Sequence, residues 1–432
     1  MASSGGEAAA PRPRVALLYT YASALSRESE QSARYMGLCM ATSGQCEKVF
    51  VVGLDPRADV DRDAAPAAAS VNSKARRSDG IALDAQTMGA NYYEETLDYK
   101  VLAECHVWIL LLDSDTTATS VQFLQKRVRV KKEEKKQPKR IVVSLQTTMR
   151  QLTQLDQAFG DSIVLHGGLG FQVVKGDDGV LAPLSEGCYF VERLAKEKVD
   201  ALYVLDLLEG TGHQVLSRRN IQALKWGTTM LRTFYYINAL TGESVATSLR
   251  DRNLRLLFVE ALHEMSNLFS LVMESNSSRQ SGAQTNTSSW LPDTIACTYL
   301  SIHAMMVLLP LPNLLFNAVL KLIDFGLYRT RSGFSVTQRD MEANLLTSFS
   351  AEFQDVFELA SNRSMTLPVL DFLKTTLEAA AKSKSGVPRI SSSVMVSKVV
   401  LSRQSRAASR LFFLKLIITI VATVLLGAYL FS

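Results

Sequence analysis

The sequence predicts a parallel α/β domain, an all-α domain after it, and one membrane-spanning helix at the end of the chain. Three observations predict this. In the first half, short runs rich in Val, Ile and Leu alternate with stretches of helical spacing. That is the pattern of a parallel sheet with helices on both faces. From about Val199 onward the apolar residues recur at helical spacing, which predicts helices packed on helices. The last 22 residues, Leu411–Ser432 (LFFLKLIITIVATVLLGAYLFS), are apolar except for Lys415. A helix of that length rises about 30 Å, the thickness of a bilayer's hydrocarbon core. Lys415 stands near its start, where a long side chain snorkels to the headgroups.

The strands come first. Val15–Tyr19 (VALLY), Val49–Gly53 (VFVVG), Val107–Leu112 (VWILLL), Ile141–Leu145 (IVVSL) and Ser162–Leu165 (SIVL) are buried-strand runs. Ser26–Ala41 has the spacing of a helix between the first two. Arg57–Gly80, rich in Ala, Asp, Arg and Ser, predicts a disordered insertion. Arg127–Arg140 (RVRVKKEEKKQPKR) predicts an exposed charged loop. His166-Gly-Gly-Leu-Gly170 follows a strand but has Val173 where a third phosphate-loop glycine would stand, so it reads as a structural turn. Helical spacing then covers Leu224–Leu240, Leu254–Met273, Thr294–Leu309, Leu311–Leu327, Asp340–Leu359 and Leu367–Ala381. Ile295–Leu309 is too short to span a bilayer and stops at Pro310, so it reads as a core helix. The boundaries that follow are a disordered N-terminus at 1–13, an α/β domain at 14–195 with insertions at 57–80 and 127–140, and a helical domain at 196–381 with a loop at 275–289. A basic linker at 382–410 and the anchor at 411–432 complete the chain.

Charge is distributed to suit that plan. The chain holds 47 basic and 42 acidic residues. After Glu378 there is no acidic residue, but there are Lys382, Lys384, Arg389, Lys398, Arg403, Arg406, Arg410 and Lys415. Removing those eight from the 47 leaves 39 against 42, so the rest of the chain is slightly acidic. Basic residues before a span favour the cytosolic side and attract anionic lipid at about 1 kcal/mol each. Nucleic-acid binding is a poor explanation of a charge confined there. The N-terminus has no apolar core, so no signal peptide is expected. The expected location is a tail-anchored membrane protein with a cytosolic body, the mitochondrial outer membrane being favoured over endoplasmic reticulum or peroxisome. Five scattered cysteines without a CxxC pair and five isolated histidines predict neither a metal site nor a disulfide framework.

Trp226–Gly242 (WGTTMLRTFYYINALTG) resembles the helix W-G-K-L-x-x-N-x-x-N-A-L-N-A-L-T-G of the ketopantoate reductases (2-dehydropantoate 2-reductases), with Trp226, Gly227, Asn238, Ala239, Leu240, Thr241 and Gly242 in register. Leu208–Asn220 looks like that family's lead-in to the helix, Pro310 and Pro312 match its proline pair, and Ser335–Ala343 (SVTQRDMEA) is similar to its S-S-M-x-x-D-L-E-A segment. Val107–Thr117 and Ile141–Thr147 resemble its strands D-L-V-L-V-A-V-K-x-x-D-T and I-V-x-L-Q-N-G. The resemblance implies a Rossmann-like domain, a helical domain of the 6-phosphogluconate-dehydrogenase C-terminal type, and an NADPH-dependent reductase ancestry.

The chain departs from the family where chemistry is expected. Such enzymes turn on glycines after the first strand, because only glycine lets the backbone reach the pyrophosphate. The overlay puts Tyr19, Tyr21 and Ala24 at the three glycines. The cofactor-side lysine becomes Asp113, and the asparagine of Q-N-G becomes Thr147. The general acid, a lysine, falls on Thr228, the substrate asparagine on Arg232, and the glutamate on Ser348, while Asn238 keeps its substrate-side position. A threonine hydroxyl is too weak an acid to replace the lysine. Lys225 and Glu352 lie three and four residues from the lost positions, on the same helix faces. They are either displaced catalytic groups or an ordinary solvated face. Arg232 either grips a carboxylate or phosphate or bridges to a neighbouring helix.

The function expected is therefore a membrane-anchored, ketopantoate-reductase-like protein that has lost catalysis and serves as a binding or scaffold module, with no cofactor. The alternative is an active NADPH-dependent 2-oxo acid reductase that binds NADP(H) and uses Lys225 and Glu352. Its partners would be the membrane and proteins of unspecified kind, with homodimerisation left open.

Overall fold

The computed structural model describes residues 12–21, 27–55, 73–127, 139–146, 151–218 apart from 186 and 195, 221–277, 302–322, 333–345 and 348–399. Contacts divide the chain into two compact units, with the division between Lys225 and Trp226, inside the helix Ile221–Ala239.

The first unit is built on an eight-stranded sheet. Its strands are β1 (Arg14–Thr20), β2 (Lys48–Leu54), β5 (Tyr93–Thr96), β6 (Val107–Leu111), β7 (Ile141–Ser144), β8 (Ile163–Leu169), β11 (Cys188–Glu192) and β12 (Gln214–Arg218). Their spatial order is β12-β11-β8-β7-β6-β1-β2-β5. The six from β5 to β8 pair in parallel, and their order reverses direction at β1, as in a doubly wound nucleotide-binding sheet. β11 runs antiparallel to β8 and carries β12 at the edge. The apolar runs form these strands because a sheet buried on both faces cannot alternate with polar residues. Val15, Leu17, Val49, Val51, Ile109 and Val143 feed one core, and Ala16, Leu18, Val52, Trp108, Leu110 and Val142 the other.

A second sheet changes how this unit is built. β3 (Lys74–Arg76), β4 (Ala82–Asp84), β9 (Val173–Lys175) and β10 (Val180–Pro183) form a four-stranded sheet in the order β4-β3-β10-β9. The helix Glu28–Ser43 touches β1 and β2 on one side and strands of this small sheet on the other. Its exposed face is consequently lost: Ser29, Ser32, Ala33, Tyr35, Met36, Gly37, Leu38, Cys39 and Met40 are all buried. Gly37 marks the close approach, since a Cβ there would meet Val51 at 2.6 Å. An aromatic group locks the far end. The Tyr35 hydroxyl lies 2.8 Å from His213 Nε2, and the His213 ring stacks on Phe171 at 4.1 Å.

The second unit is helical. Its longest helix, Arg252–Ser277, is the spine. Arg255 is fully buried near its start and donates to the carbonyls of Leu249, Arg250, Leu309 and Leu311 and to Asn313 Oδ1. Glu264, farther along, accepts from the backbone N–H of Val369 at 2.7 Å and of Leu370 at 3.3 Å. It thereby caps the helix Pro368–Ser383, whose first position holds a proline that needs no partner. Burial raises the Glu264 carboxyl to about 7, against the lowering effect of those two N–H donors.

Several expectations need correction. The first unit does not end near residue 195: β12 adds to its sheet, and the unit runs to Lys225. Part of the expected disordered insertion is ordered, because β3 pairs with β4 and β10. His166–Leu169 lies within β8, not in a turn, and its glycines have a packing cause. A Cβ on Gly168 would stand 2.2 Å from the Phe190 ring, and one on Gly167 would stand 2.4 Å from the Phe190 carbonyl. Asp340–Leu359 is not one helix but three segments, Val336–Glu342, Phe349–Glu352 and Gln354–Asn362. The basic linker is not free over its first half. Ile390 N–H donates to the Leu240 carbonyl at 2.8 Å, and the helix Ser392–Lys398 packs on Arg252–Ser277 with Met395 fully buried. The expected anchor at 411–432 and residues 128–138 of the charged loop lie outside the described residues. Among the described residues no helix is long and apolar enough to cross a membrane.

Candidate functional site

Open α/β sheets bind ligands beyond the carboxyl ends of their strands, where the strand order reverses. Here that point lies between β1 and β6. The end of β1 is tied to the loop after β6: Asp113 N–H donates to Thr20 Oγ1 at 3.0 Å, and the hydroxyls of Thr20 and Thr116 lie 2.9 Å apart. Thr117 then caps back onto the Asp113 carbonyl at 2.8 Å. Asp113 thus anchors this loop through its backbone.

Tyr19 does not stand in the turn. It pairs within β1 against Gly53 and Leu111, and its side chain is buried. Its ring lies over Gly53, where a Cβ would stand 2.9 Å from the hydroxyl. Burial pushes that phenol up to about 12. Tyr21 follows the strand and is 40% exposed. Ala24 and Thr147 lie outside the described residues. The next helix opens with Glu28 and Glu30 in its first turn, and the sequence has no glycine from Arg14 to Met36. Carboxylates already satisfy the positive end of that helix dipole. Asp55, immediately after β2, stands where a dinucleotide-binding sheet carries its ribose-binding acid.

A second group lies at the carboxyl end of β7 and the middle of β8. Ser144 and His166 are register partners, and the side chains of Ser144, Gln146 and His166 alternate away from those of Val143, Leu145 and Leu165. Glu192 accepts from His166 N–H at 3.0 Å and from Lys198 at 2.7 Å. Lys225 reaches in with 0% exposure and donates to the Gln146 carbonyl at 2.5 Å. Burial lowers its ammonium to about 7, and the field of Glu192 opposes the shift. Burial likewise lowers His166, against the pull of Asp156. Neither amide atom of Gln146 has a hydrogen-bond partner, and neither does the Ser144 hydroxyl. Lys225 is therefore not on a solvated face.

The third group belongs to the helical unit. Arg232 pairs with Glu352, Nε to Oε1 and, at 3.3 Å, Nη2 to Oε2. Tyr236, one turn after Arg232, donates to Glu352 and lies 3.0 Å from the Ser348 hydroxyl. The Tyr236 ring meets Phe349 and Phe353 edge-on at 4.9 and 5.7 Å. Arg232 is 8% and Glu352 4% exposed. The cation and anion neutralise each other in a wall of aromatic rings. The Tyr236 phenol is driven far above its ordinary value by burial and then by the Glu352 charge. Of the two readings of Arg232, the structure takes the bridge to a neighbouring helix. Thr228 is buried. Asn238 spends its amide N–H groups on the Glu243 carbonyl and the Ser248 hydroxyl, closing the turn after its helix.

Lys225 and Glu352 thus belong to different clusters with different partners. Tyr236 and Gln146 escaped the sequence reading. The available signal was spacing: Tyr236 is four residues after Arg232, as Glu352 is after Ser348, so each pair shares a helix face. Among the described residues no group of His, Cys, Asp and Glu could hold a metal ion.

Solved structures share this architecture. D-mandelate dehydrogenase in its ternary structure with NADH and anilino(oxo)acetate is 14% identical and covers 86% of this chain and 99% of its own, with a TM-score of 0.56. A PanE/ApbA family ketopantoate reductase from Ralstonia eutropha JMP134 is 12% identical over 86% and 99%, with a TM-score of 0.54. The 2-dehydropantoate 2-reductase from Methylococcus capsulatus is 12% identical over 86% and 98%, with a TM-score of 0.51. No protein-family model matches the chain, and no curated protein does. At such identities the likeness establishes the fold: an α/β sheet part followed by a helical part, as in the ketopantoate reductases.

Two predictions follow from the clusters. Arg232→Met or Glu352→Leu alone leaves a buried group without its partner and will lower stability by about 3–5 kcal/mol. The double variant Arg232→Met/Glu352→Leu will recover most of that loss, measured by urea unfolding as a double-mutant cycle. The depressed Lys225 value means that the unfolded chain binds the extra proton between pH 7 and the ordinary 10.5. Stability from this group therefore rises with pH across that window. A Lys225→Met variant, unfolded in urea from pH 7 to 9.5, will lose that part of the slope.

Proposed function

We propose that this protein is a ketopantoate-reductase-like fold that no longer catalyses, and that it serves as a membrane-tethered binding or scaffold module. The observation that carries the reading is the closed group Arg232–Glu352–Tyr236. These residues stand at and beside the positions where the resemblance places substrate and catalytic groups. A charge already paired and walled by Phe349 and Phe353 leaves Arg232 engaged rather than open to a substrate carboxylate. Thr228 offers no usable acid in place of the family's lysine.

The phosphate end supports the same reading. A dinucleotide needs a glycine turn leading into a helix N-terminus free to receive an anion. This chain has no glycine there, and Glu28 and Glu30 occupy the first helical turn. The residues do not fit a pyrophosphate, and no reaction step is assigned to NADP(H). The apolar segment 411–432 and the basic residues before it support attachment to a membrane with the body on the cytosolic side.

Lys225 favours a second reading, an active reductase of 2-oxo acids whose acid has moved three residues along the helix. A buried amine titrating near 7 beside Gln146 is suited to hold and release a proton at neutral pH.

Turnover separates the two. The purified full-length protein, given NADPH and ketopantoate or other 2-oxo acids, will consume NADPH no faster than a protein-free control. Consumption that disappears in a folded Lys225→Ala variant would establish the second reading.

A further inference from the structure

We infer that the exposed leucines Leu314 and Leu315, in the first turn of the helix Asn313–Leu322, rest on the surface of an anionic lipid bilayer. The inference depends on the reading of 411–432 as a membrane anchor, and it adds which face of the helical unit meets the lipid.

Leu314 is 83% exposed and Leu315 39%, whereas the next residue, Phe316, is fully buried. Two adjacent leucines turned to solvent on a helix of sequence NLLFNAVLKL are out of place against water alone. Their presentation is rigid. Arg255 stacks over the Phe316 ring at 4.0 Å and holds the Leu309 and Leu311 carbonyls and Asn313 Oδ1 at 2.8–2.9 Å. The exposed leucines are therefore fixed to the first turn of the helix Arg252–Ser277.

The route to the anchor is fixed to that same turn. Asn253, two residues before Arg255, donates to Ser392 Oγ at 3.4 Å. Ser392 opens the short helix that buries Met395 and leaves Val394 41% exposed. From Val399 only residues 400–410 separate the docked helix from Leu411. Eleven residues span at most about 36 Å when fully extended. The point where the anchor enters the bilayer thus lies within about 36 Å of Val399. The intervening segment carries Arg403, Arg406 and Arg410 with no acidic residue, which complements anionic headgroups. Exposed leucines combined with a basic tether in one chain suit an element that lies in the membrane interface.

The test uses the full-length chain in vesicles of phosphatidylcholine and phosphatidylserine, with a nitroxide label at Leu314→Cys. Cys297→Ser accompanies it, because the other four native cysteines are buried. Asp98→Cys supplies a control label on the first unit. On vesicle-bound protein the label at 314 will gain access to oxygen and lose access to a water-soluble nickel chelate several-fold, and the control at 98 will not change. A vesicle-bound protein whose 314 label stays as open to nickel as the control overturns the inference and leaves the anchor standing. Protection from both probes, or spin–spin broadening that disappears on dilution with unlabelled chain, overturns it in favour of a protein cover or a second copy. Protein that fails to float with vesicles overturns the anchor and the inference together.

Discussion

A buried ion pair constrains what this protein can do. Arg232 and Glu352 stand on separate helices in an aromatic wall. Burying either charge alone costs several kcal/mol, so each requires the other. Tyr236 donates to the Glu352 carboxylate of the pair, and the Ser348 hydroxyl lies 3.0 Å from that Tyr236 hydroxyl. Nε and Nη2 of Arg232 are committed to Glu352, so an anion approaching Arg232 would compete with that carboxylate. Groups arranged in this way hold helices in register.

The α/β unit shows a comparable commitment to packing. Its parallel strands keep the order of a nucleotide-binding sheet, yet the first helix is enclosed between two sheets and opens with two glutamates. The ties among Thr20, Asp113 and Thr116 join the ends of β1 and β6, where a bound dinucleotide would cross. Lys225 is the exception. Its amine is buried among groups that include the unpartnered amide of Gln146, and it is the feature that a purely structural reading explains least.

Much of the fold was legible because central parallel strands are apolar on both faces. The runs at Val15, Val49, Val107 and Ile141 became β1, β2, β6 and β7. β12 was not legible: QVLSR is an edge strand with exposed ends and lacks an apolar run. β3 and β4 are three residues each, too short for a period to show. Overlaying a family pattern put Tyr19 in a turn, whereas its ring fills the space over Gly53 in the sheet. The positions Thr228, Arg232 and Ser348, picked out by the resemblance, and the nearby Lys225 and Glu352 were visible as spacing. Spacing along one helix cannot say which distant residue answers a charge. The pairing of Arg232 with Glu352, and of Lys225 with a strand-end carbonyl, appears only in the fold.

Calorimetric titration of the full-length protein with NADPH, and separately with NADP⁺, tests the central claim most directly. A cooperatively folded protein that releases no binding heat at millimolar cofactor is the predicted result. Saturable, tight binding would contradict it, because a dinucleotide would then be held despite the glutamates and the missing glycines.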